Sequence, residues 1–415
     1  MAALVDHSEA TSKRGEALNN RTVLVCGGGI AGTALAFWLH RRGFTVTVVE
    51  HATGVRTGGY KVDIRGAAIE VVDRMGLLTQ VRQQSTDMRF AVQYDNRGRR
   101  LATLDAELFG GRSDGDAEIM RGDLQHVLYE QTRGEAEYVF GDRAVSVREM
   151  GAGVEVTFAH GQRRSFDLVI GADGVNSATR GLVFGPPSRF LHDLGHAICV
   201  YSVPNYLGLD REEAVHLAPG RTVNVYSTAQ TDFAKALFLF RSEPSELDSK
   251  TFVAKAMSEV GWEAPRLLSF LPEAADFYFD RLTQVQMDRW SAGRVALVGD
   301  AAYGASPASG QGTSLALVGA YALAGELSAA GGDHKIGFAA YEARMREFVA
   351  RNQALAETNL RGMVVGSRTA VWLQTRMMRL LPHLPGRDAI IGRIAKTIHE
   401  AATAIALPDY GHVAV

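Results

Sequence analysis

A run of strand-forming residues, Thr22-Val23-Leu24-Val25-Cys26, breaks into Gly27-Gly28-Gly29-Ile30-Ala31-Gly32 and continues as an apolar helix through Ala34, Leu35, Phe37, Trp38 and Leu39. In this strand, turn and helix setting the glycines play different parts. Gly27 permits the tight turn, Gly29 lets a pyrophosphate approach the backbone, and Gly32 lets helix and strand pack closely. The unpaired N–H groups at the helix start then face the phosphate charge. A second strand, Thr45-Val46-Thr47-Val48-Val49, ends in Glu50. An acid about twenty residues after the glycines is the usual acceptor for ribose hydroxyls and disfavours a 2′-phosphate. A βαβ unit binding a dinucleotide is therefore expected, with a glycine-rich turn used only for packing as the alternative.

Two distant segments add to this. Gly171-Ala172-Asp173-Gly174 follows a short apolar strand, and Val295-Ala296-Leu297-Val298 runs into Gly299-Asp300. The continuous apolar character of the latter fits a strand buried on both faces, with Asp300 at its carboxyl end, where open α/β sheets bind ligands. Beyond it, Ser306-Pro307-Ala308-Ser309 leads to Gly310-Gln311-Gly312 and a long apolar helix. A helix start carries roughly half a positive charge, which favours an electron-rich ring lying against it, and Gly310 and Gly312 allow close backbone approach. An ordinary strand, loop and helix connection is the plain alternative.

The 415-residue length, with 46% hydrophobic and 22% charged residues, gives a globular chain of two-domain size. A formal net charge of −2 provides no electrostatic case for nucleic acid. The two cysteines, Cys26 and Cys199, lie far apart and form no CxxC, so neither a disulfide framework nor a dithiol redox centre is indicated. No zinc-like Cys/His cluster, HExxH or GxSxG is present, and no metal is expected. Residues 1–20 read as a disordered leader without a signal-peptide core. The most apolar stretch, Leu315 to Gly325, is too short to span a bilayer. A cytoplasmic location without stable membrane insertion is expected; the oligomeric state is not set by these features.

The pattern after Glu50 departs from simple βα alternation. Val62-Asp63-Ile64 reads as a strand, Ala67 to Met75 as a helix, and 88–104 as a strand pair turning at Asn96-Arg97-Gly98. Glu107 to Ala117 reads as a loop, Arg121 to Thr132 as a helix, and 137–149, 153–158 and 165–170 as strands. From Phe190 to Gln286 the texture is β-rich, with a helical patch near 249–272. The expected fold is α/β: a Rossmann-like nucleotide-binding domain from 21–87, 118–188 and 289–335, an inserted, mainly antiparallel sheet domain from 88–117 and 189–288, and C-terminal helices from 336–415. Ile336 to Gly362 reads as one long helix, with further helix around Pro382 and Pro385. Seven basic residues and one acid between Arg361 and Lys396 fit either a brace with a solvated face or a membrane-surface helix.

These segments resemble the single-component FAD-dependent aromatic hydroxylases, the family of para-hydroxybenzoate hydroxylase and the tetracycline-inactivating flavin monooxygenases. Val295 to Leu323 is similar to their third fingerprint, Asp167 to Arg180 to their second, and Met120-Arg121-Gly122-Asp123-Leu124 to their flavin-side arginine segment. The resemblance implies tightly bound, non-covalent FAD held by Gly27, Gly29, Gly32, Glu50, Arg121, Asp173, Asp300, Pro307, Gly310 and Gly312. In that family Asp173's segment serves both FAD and the reduced nicotinamide. By position, Asp63 and Arg65 are candidates for the active-site edge, with a loop salt bridge as their alternative. Lacking a second GxGxxG, the chain is expected to bind NADH or NADPH transiently.

The family implies that reduced flavin and O2 give a flavin hydroperoxide that hydroxylates a phenol or enol, here a polycyclic aromatic or polyketide-like small molecule. Water must be excluded, and Tyr201, Tyr226, Phe238 and Phe240 are candidates for lining that cover, or for simple core. A flavin-dependent reductase or dehydrogenase on the same scaffold is the alternative, and a non-catalytic binding protein of this fold a lesser one.

Overall fold

The computed structural model describes residues 19–56, 58–113, 115–229, 231–243, 245–380 and 396–411. Residues 1–18 of the expected leader, and Pro382 and Pro385, lie outside the described residues.

The hydrophobic strands at 22–26 and 45–49 form the centre of a six-stranded sheet. Its order is Ser291–Ala292, Val295–Leu297, Leu168–Gly171, Thr22–Cys26, Thr45–Glu50, Glu137–Phe140, parallel except for the first, antiparallel edge. Strand alternation divides its contacts. Val23 and Val25 face a core built with the helices Ile30–His40, Arg121–Thr132 and Gly312–Ala329. Leu24 and Cys26 face a small antiparallel sheet of Ala144–Met150, Gly153–Phe158 and Arg163–Phe166. Burial on both faces explains why these strands read as continuous apolar runs.

Two expected strands are each divided. The run 137–149 becomes Glu137–Phe140 in the large sheet and Ala144–Met150 in the small one, with Gly141 at φ +77 between them. The run 165–170 is cut at Asp167, whose carboxylate accepts from the N–H of Arg21 and of Thr22 at 2.9 and 2.8 Å. The expected Glu107 to Ala117 loop begins inside the short helix Ala106–Gly110.

The second unit is a seven-stranded sheet ordered Tyr278–Val285, Leu191–Pro204, Phe233–Arg241, Arg221–Ser227, Glu212–Ala218, Phe90–Tyr94, Arg100–Asp105. Only the pairing of Glu212–Ala218 with Phe90–Tyr94 is parallel. Its outer face packs Ala197, Cys199, Tyr201, Phe238 and Phe240 against the helical segment that carries Val253, Met257 and Leu267. Its inner face carries Ile198, Val200, Leu237, Leu239 and Leu282 and meets Tyr60, Ala308, Ala356 and Leu360.

The long helix His334–Met363 starts on the capping carboxylate of Asp333 and runs past the turn Pro307–Ser309 to the inner face, where Thr222 Oγ1 donates to the Met363 carbonyl. The amides of Asn359 and Gln353 donate to the carbonyls of Ala308 and Val285 at 2.9 and 2.8 Å, tying this helix to both units. Among the described residues no helix is long and apolar enough to cross a membrane.

Candidate cofactor and substrate site

The three glycine segments meet at the carboxyl ends of the parallel strands. Gly27 adopts φ +107, and a Cβ there would lie 2.5 Å from the carbonyl oxygen of Ala172. The first and second fingerprints therefore touch through a position that only glycine fills. At Gly32 a Cβ would lie 1.9 Å from the Gly27 carbonyl oxygen, so helix and turn are in direct backbone contact. At Gly29 a Cβ would meet nothing within 4 Å. Two of the glycines thus close the turn, while the third presents bare backbone outward at the helix start.

Glu50 is built into this turn. One carboxylate oxygen accepts from the Gly28 N–H at 2.8 Å and the other from the Ala52 N–H at 2.9 Å, with His51 Nδ1 3.0 Å away. Gln125, which no motif singles out, reaches from its helix to donate to the Gly28 carbonyl and to Thr33 Oγ1. Only the packing of two helices brings it there, so no local signal could have found it.

Asp173 has a local role. Its carboxylate accepts from the Thr179 N–H and hydroxyl at 2.9 and 3.0 Å and from the Ser177 hydroxyl, fixing the start of the helix Ala178–Phe184. Arg180, 1% exposed, donates to the carbonyls of Ala301 and Val175 at 2.9 and 2.5 Å, so it locks the second fingerprint to the segment after Asp300.

Asp300 opens the short helix Asp300–Tyr303, after Gly299 at φ +64. A Cβ on Gly299 would come 2.7 Å from that of Ala31, so the third fingerprint also rests on the first helix. Asp300 is accessible by area yet crowded by surrounding protein. Desolvation raises its carboxyl above the ordinary range, the Arg121 guanidinium opposes this, and Asp280 reinforces it.

Arg121 begins the helix Arg121–Thr132; its N–H donates to the Tyr60 carbonyl at 3.1 Å. Pro307 starts a single turn between Ser306 at φ +71 and Gly310 at φ +66. A Cβ on Gly310 would meet nothing within 4 Å, and one on Gly312 would lie 3.9 Å from Asp300 Oδ1. Gln311, completely buried between these glycines, has neither amide atom hydrogen-bonded within the protein. An unsatisfied buried amide beside an open glycine-lined backbone suits a flat, hydrogen-bonding ring. Together with the bare Gly29 backbone and the Glu50 carboxylate, these residues fit FAD.

The expected edge residues lie in a buried ion network instead. Arg65, 4% exposed, donates to the carbonyls of Gly111 and Gly110 at 2.6 and 2.7 Å and to Asp63 at 2.8 Å, while its N–H donates to Ser314 Oγ. Asp63 also faces Arg112 at 3.5 Å, Arg112 pairs with Glu118 at 2.6 Å, and Lys61 bridges Glu118 and Glu213 at 3.2 and 2.6 Å. With both terminal nitrogens of its guanidinium engaged, Arg65 ties the 110–111 turn to Asp63, as the loop salt-bridge alternative expects.

The aromatic candidates divide by strand parity. Tyr201, Phe238 and Phe240 point to the outer, helix-covered face, and Tyr201 Oη donates to the Leu267 carbonyl at 2.9 Å. That removes them from the cover: adjacent strand positions face opposite ways, and theirs is the face turned from the glycine segments. Tyr226 has the other parity, accepting from the Lys61 N–H at 3.3 Å with the Lys61 ammonium 5.3 Å from its ring centre. The inner face is lined instead by Ile198, Val200, Leu237, Leu239, Tyr278 and Leu282.

The chain is similar to known proteins along most of its length. Residues 20–356 match the family described as FAD binding domain. A flavin-dependent monooxygenase from an unknown prokaryotic organism is 40% identical over 337 residues, covering 80% of this chain and 87% of the relative. The crystal structure of tetracycline destructase Tet(55) superposes with a TM-score of 0.82 at 36% identity, covering 95% of this chain and all of that one. Klebsiella pneumoniae HpxO, complexed with FAD and uric acid, shares the fold at 20% identity and a TM-score of 0.72, covering 91% of this chain and 96% of that one. The chain therefore belongs to the FAD binding domain family and is a flavin-dependent monooxygenase.

Proposed function

We propose that this monooxygenase takes electrons from NADH or NADPH and hydroxylates a polycyclic aromatic or polyketide-like small molecule. The observation that carries the reading is the broad apolar inner face of the inserted sheet, set against the Pro307–Ser309 turn through Ala308. A wide wall of branched aliphatic residues with isolated polar groups suits a flat, largely apolar substrate that presents a few hydroxyls. The name of the similar Tet(55) structure, a tetracycline destructase, points to the same class.

When bound, FAD supplies the electron transfer and the activation of O2. Gly29 and the helix start would receive its pyrophosphate, Glu50 its ribose, Arg121 and Asp300 its ribityl region, and the Pro307 to Gly312 backbone its ring. The aliphatic face excludes water from that edge. The nicotinamide cofactor has no second glycine-rich turn and is read as a transient visitor.

The test measures NADH and NADPH oxidation with and without a panel of polycyclic phenols, scoring product mass for one added oxygen. Stimulated oxidation with oxygen in the product supports the reading. Hydride transfer without oxygen insertion would return the reductase alternative.

A further inference from the structure

Of the thirteen large apolar side chains that stand exposed among the described residues, four belong to one helix, Arg368–Leu380: Trp372, Leu373, Met377 and Leu380, each 52–63% exposed. Val371, Gln374, Thr375 and Met378 share the opposite, half-buried side. That side packs along the edge strand Arg100–Asp105 and is tied to the inserted sheet by the Gln93 amide, which donates to Thr375 Oγ1 at 2.9 Å. Gln374 donates to the Gly362 carbonyl at 3.0 Å, folding this helix back from the end of the long one.

The outward side carries two parallel stripes. Leu373, Met377 and Leu380 follow one another at helical spacing, and beside them run Arg368, Trp372, Arg376 and Arg379. The Arg376 guanidinium lies 5.5 Å from the Trp372 ring centre. The helix contains no Asp or Glu, and among the described residues none of its arginines pairs with a carboxylate; the nearest ion pairs along the chain are Arg361 with Glu357 and Lys396 with Glu400. Exposed Arg97 and Arg100 lead into the edge strand it covers, which ends in Asp105.

Charge and area decide what suits such a side. A second copy related by a two-fold axis would set the helix against itself, bringing arginine stripes together with no acid on the helix to receive them. A protein partner meets little surface: the helix is about 20 Å long and its outward strip offers on the order of 300 Å², well below the roughly 800 Å² per side of a stable protein interface. An anionic lipid surface needs neither a matching shape nor an acid in one particular place. It takes up apolar side chains to a depth of about 5–10 Å while neighbouring arginines extend to the headgroups, and tryptophan settles at the boundary.

We propose that Arg368–Leu380 docks this protein reversibly on an anionic lipid surface. The helix lies in the plane of the interface, with Leu373, Met377 and Leu380 turned into the acyl boundary and Arg368, Arg376 and Arg379 against headgroup phosphates. At 13 residues it is too short to cross the bilayer. Docking holds the inserted sheet, through Thr375 and Gln93, against the lipid where apolar molecules concentrate. That link to the substrate rests on the substrate class proposed above; the docking itself does not.

The test co-sediments the FAD-loaded protein with vesicles of phosphatidylcholine alone and of phosphatidylcholine mixed equally with phosphatidylglycerol. Strong binding is expected only to the mixed vesicles, falling as salt screens the charges. Replacing Arg368, Arg376 and Arg379 together by Gln should weaken it by about 100-fold, and Leu373→Ser with Met377→Ser by at least about tenfold. These side chains are exposed, so each variant should keep the FAD content and unfolding midpoint of wild type. Tryptophan emission should shift to the blue on binding, and Trp372→Phe should bind while losing that shift. No binding to the mixed vesicles, equal binding to both compositions, or undiminished binding by either multiple variant overturns the proposal. So does a concentration-dependent dimer that Leu373→Ser with Met377→Ser abolishes while wild type ignores vesicles, which would give the face to a second copy. If the vesicles bind as expected and no polycyclic phenol is turned over, the substrate class fails and the docking stands.

Discussion

Gly32→Ala sets two effects of opposite sign against each other. The position lies in the first helix, where exchanging glycine for alanine ordinarily stabilises by about 1 kcal/mol. The added Cβ, however, would sit 1.9 Å from the Gly27 carbonyl oxygen and 3.3 Å from the Ala172 Cβ. That is roughly 1.5 Å inside ordinary contact with a backbone atom that has no rotamer to escape into. Relief requires moving the helix away from the turn, and overpacking of this kind costs about 1–3 kcal/mol, occasionally more. Because the obstacle is backbone, we take the upper end and expect a net loss of about 2 kcal/mol, with FAD affinity falling as the turn opens.

Gly29→Ala separates the two contributions. Its φ of −75 suits any residue and its Cβ would touch no protein atom within 4 Å. The apoprotein should therefore unfold within about 1 kcal/mol of wild type, while FAD affinity falls at least about tenfold, equivalent to about 1.4 kcal/mol. Denaturant unfolding of the apoproteins and quenching of FAD fluorescence on binding measure the two quantities. Wild-type stability and FAD affinity in Gly32→Ala would refute the close-packing argument, and unchanged FAD affinity in Gly29→Ala would refute the pyrophosphate assignment.

Arg121→Ala and Asp300→Ala should each weaken FAD binding by about tenfold or more, measured by the same quenching; full flavin occupancy in both would show that the ribityl region lies elsewhere. Lys61→Met leaves the buried Glu213 carboxylate without its ammonium and Glu118 with Arg112 as its remaining cation, and should cost about 3 kcal/mol at neutral pH. Because Lys61 and Arg112 hold the Glu118 carboxyl below its usual range, its stabilisation is present at neutral pH and lost as pH falls through the lowered value. The variant's deficit should therefore shrink in acid, and a deficit constant with pH would contradict the network. Asp276, paired with Lys235 at 2.7 Å, is held down to about 2 by that ammonium and the Ser202 donors, against desolvation. Its contribution is present above the ordinary aspartate value and lost as pH falls through about 2. Being one-third exposed, the pair should lose less than about 1 kcal/mol in Asp276→Asn, read from denaturant midpoints at neutral pH and at the acid limit.

Much of the cofactor half was legible because its signals are contiguous. A turn that demands glycine, a strand buried on both faces and an acid at the strand end each occupy a few successive residues, and Gly27 and Gly32 make the close backbone contacts such a turn requires, with Glu50 bonded to its Gly28 N–H. Local punctuation is less visible: Gly141 and Asp167 each end one strand and let the next join a different partner, which a run of β-formers hides.

The substrate half depended on contacts that sequence order does not encode. Alternation shows that Tyr201, Phe238 and Phe240 share a face, yet which face meets the cofactor side is set by the helices 249–257 and 264–270 covering the other. Arg65 donates to carbonyls 45 and 46 residues away and pairs with Asp63, which also faces Arg112, contacts that no local pattern shows. What sequence determines by itself is the conformation that a short stretch of backbone and side chains prefers. Which distant surfaces share a low-dielectric interior, and therefore which charges are neutralised and which remain reactive, is decided only when the whole chain closes on itself.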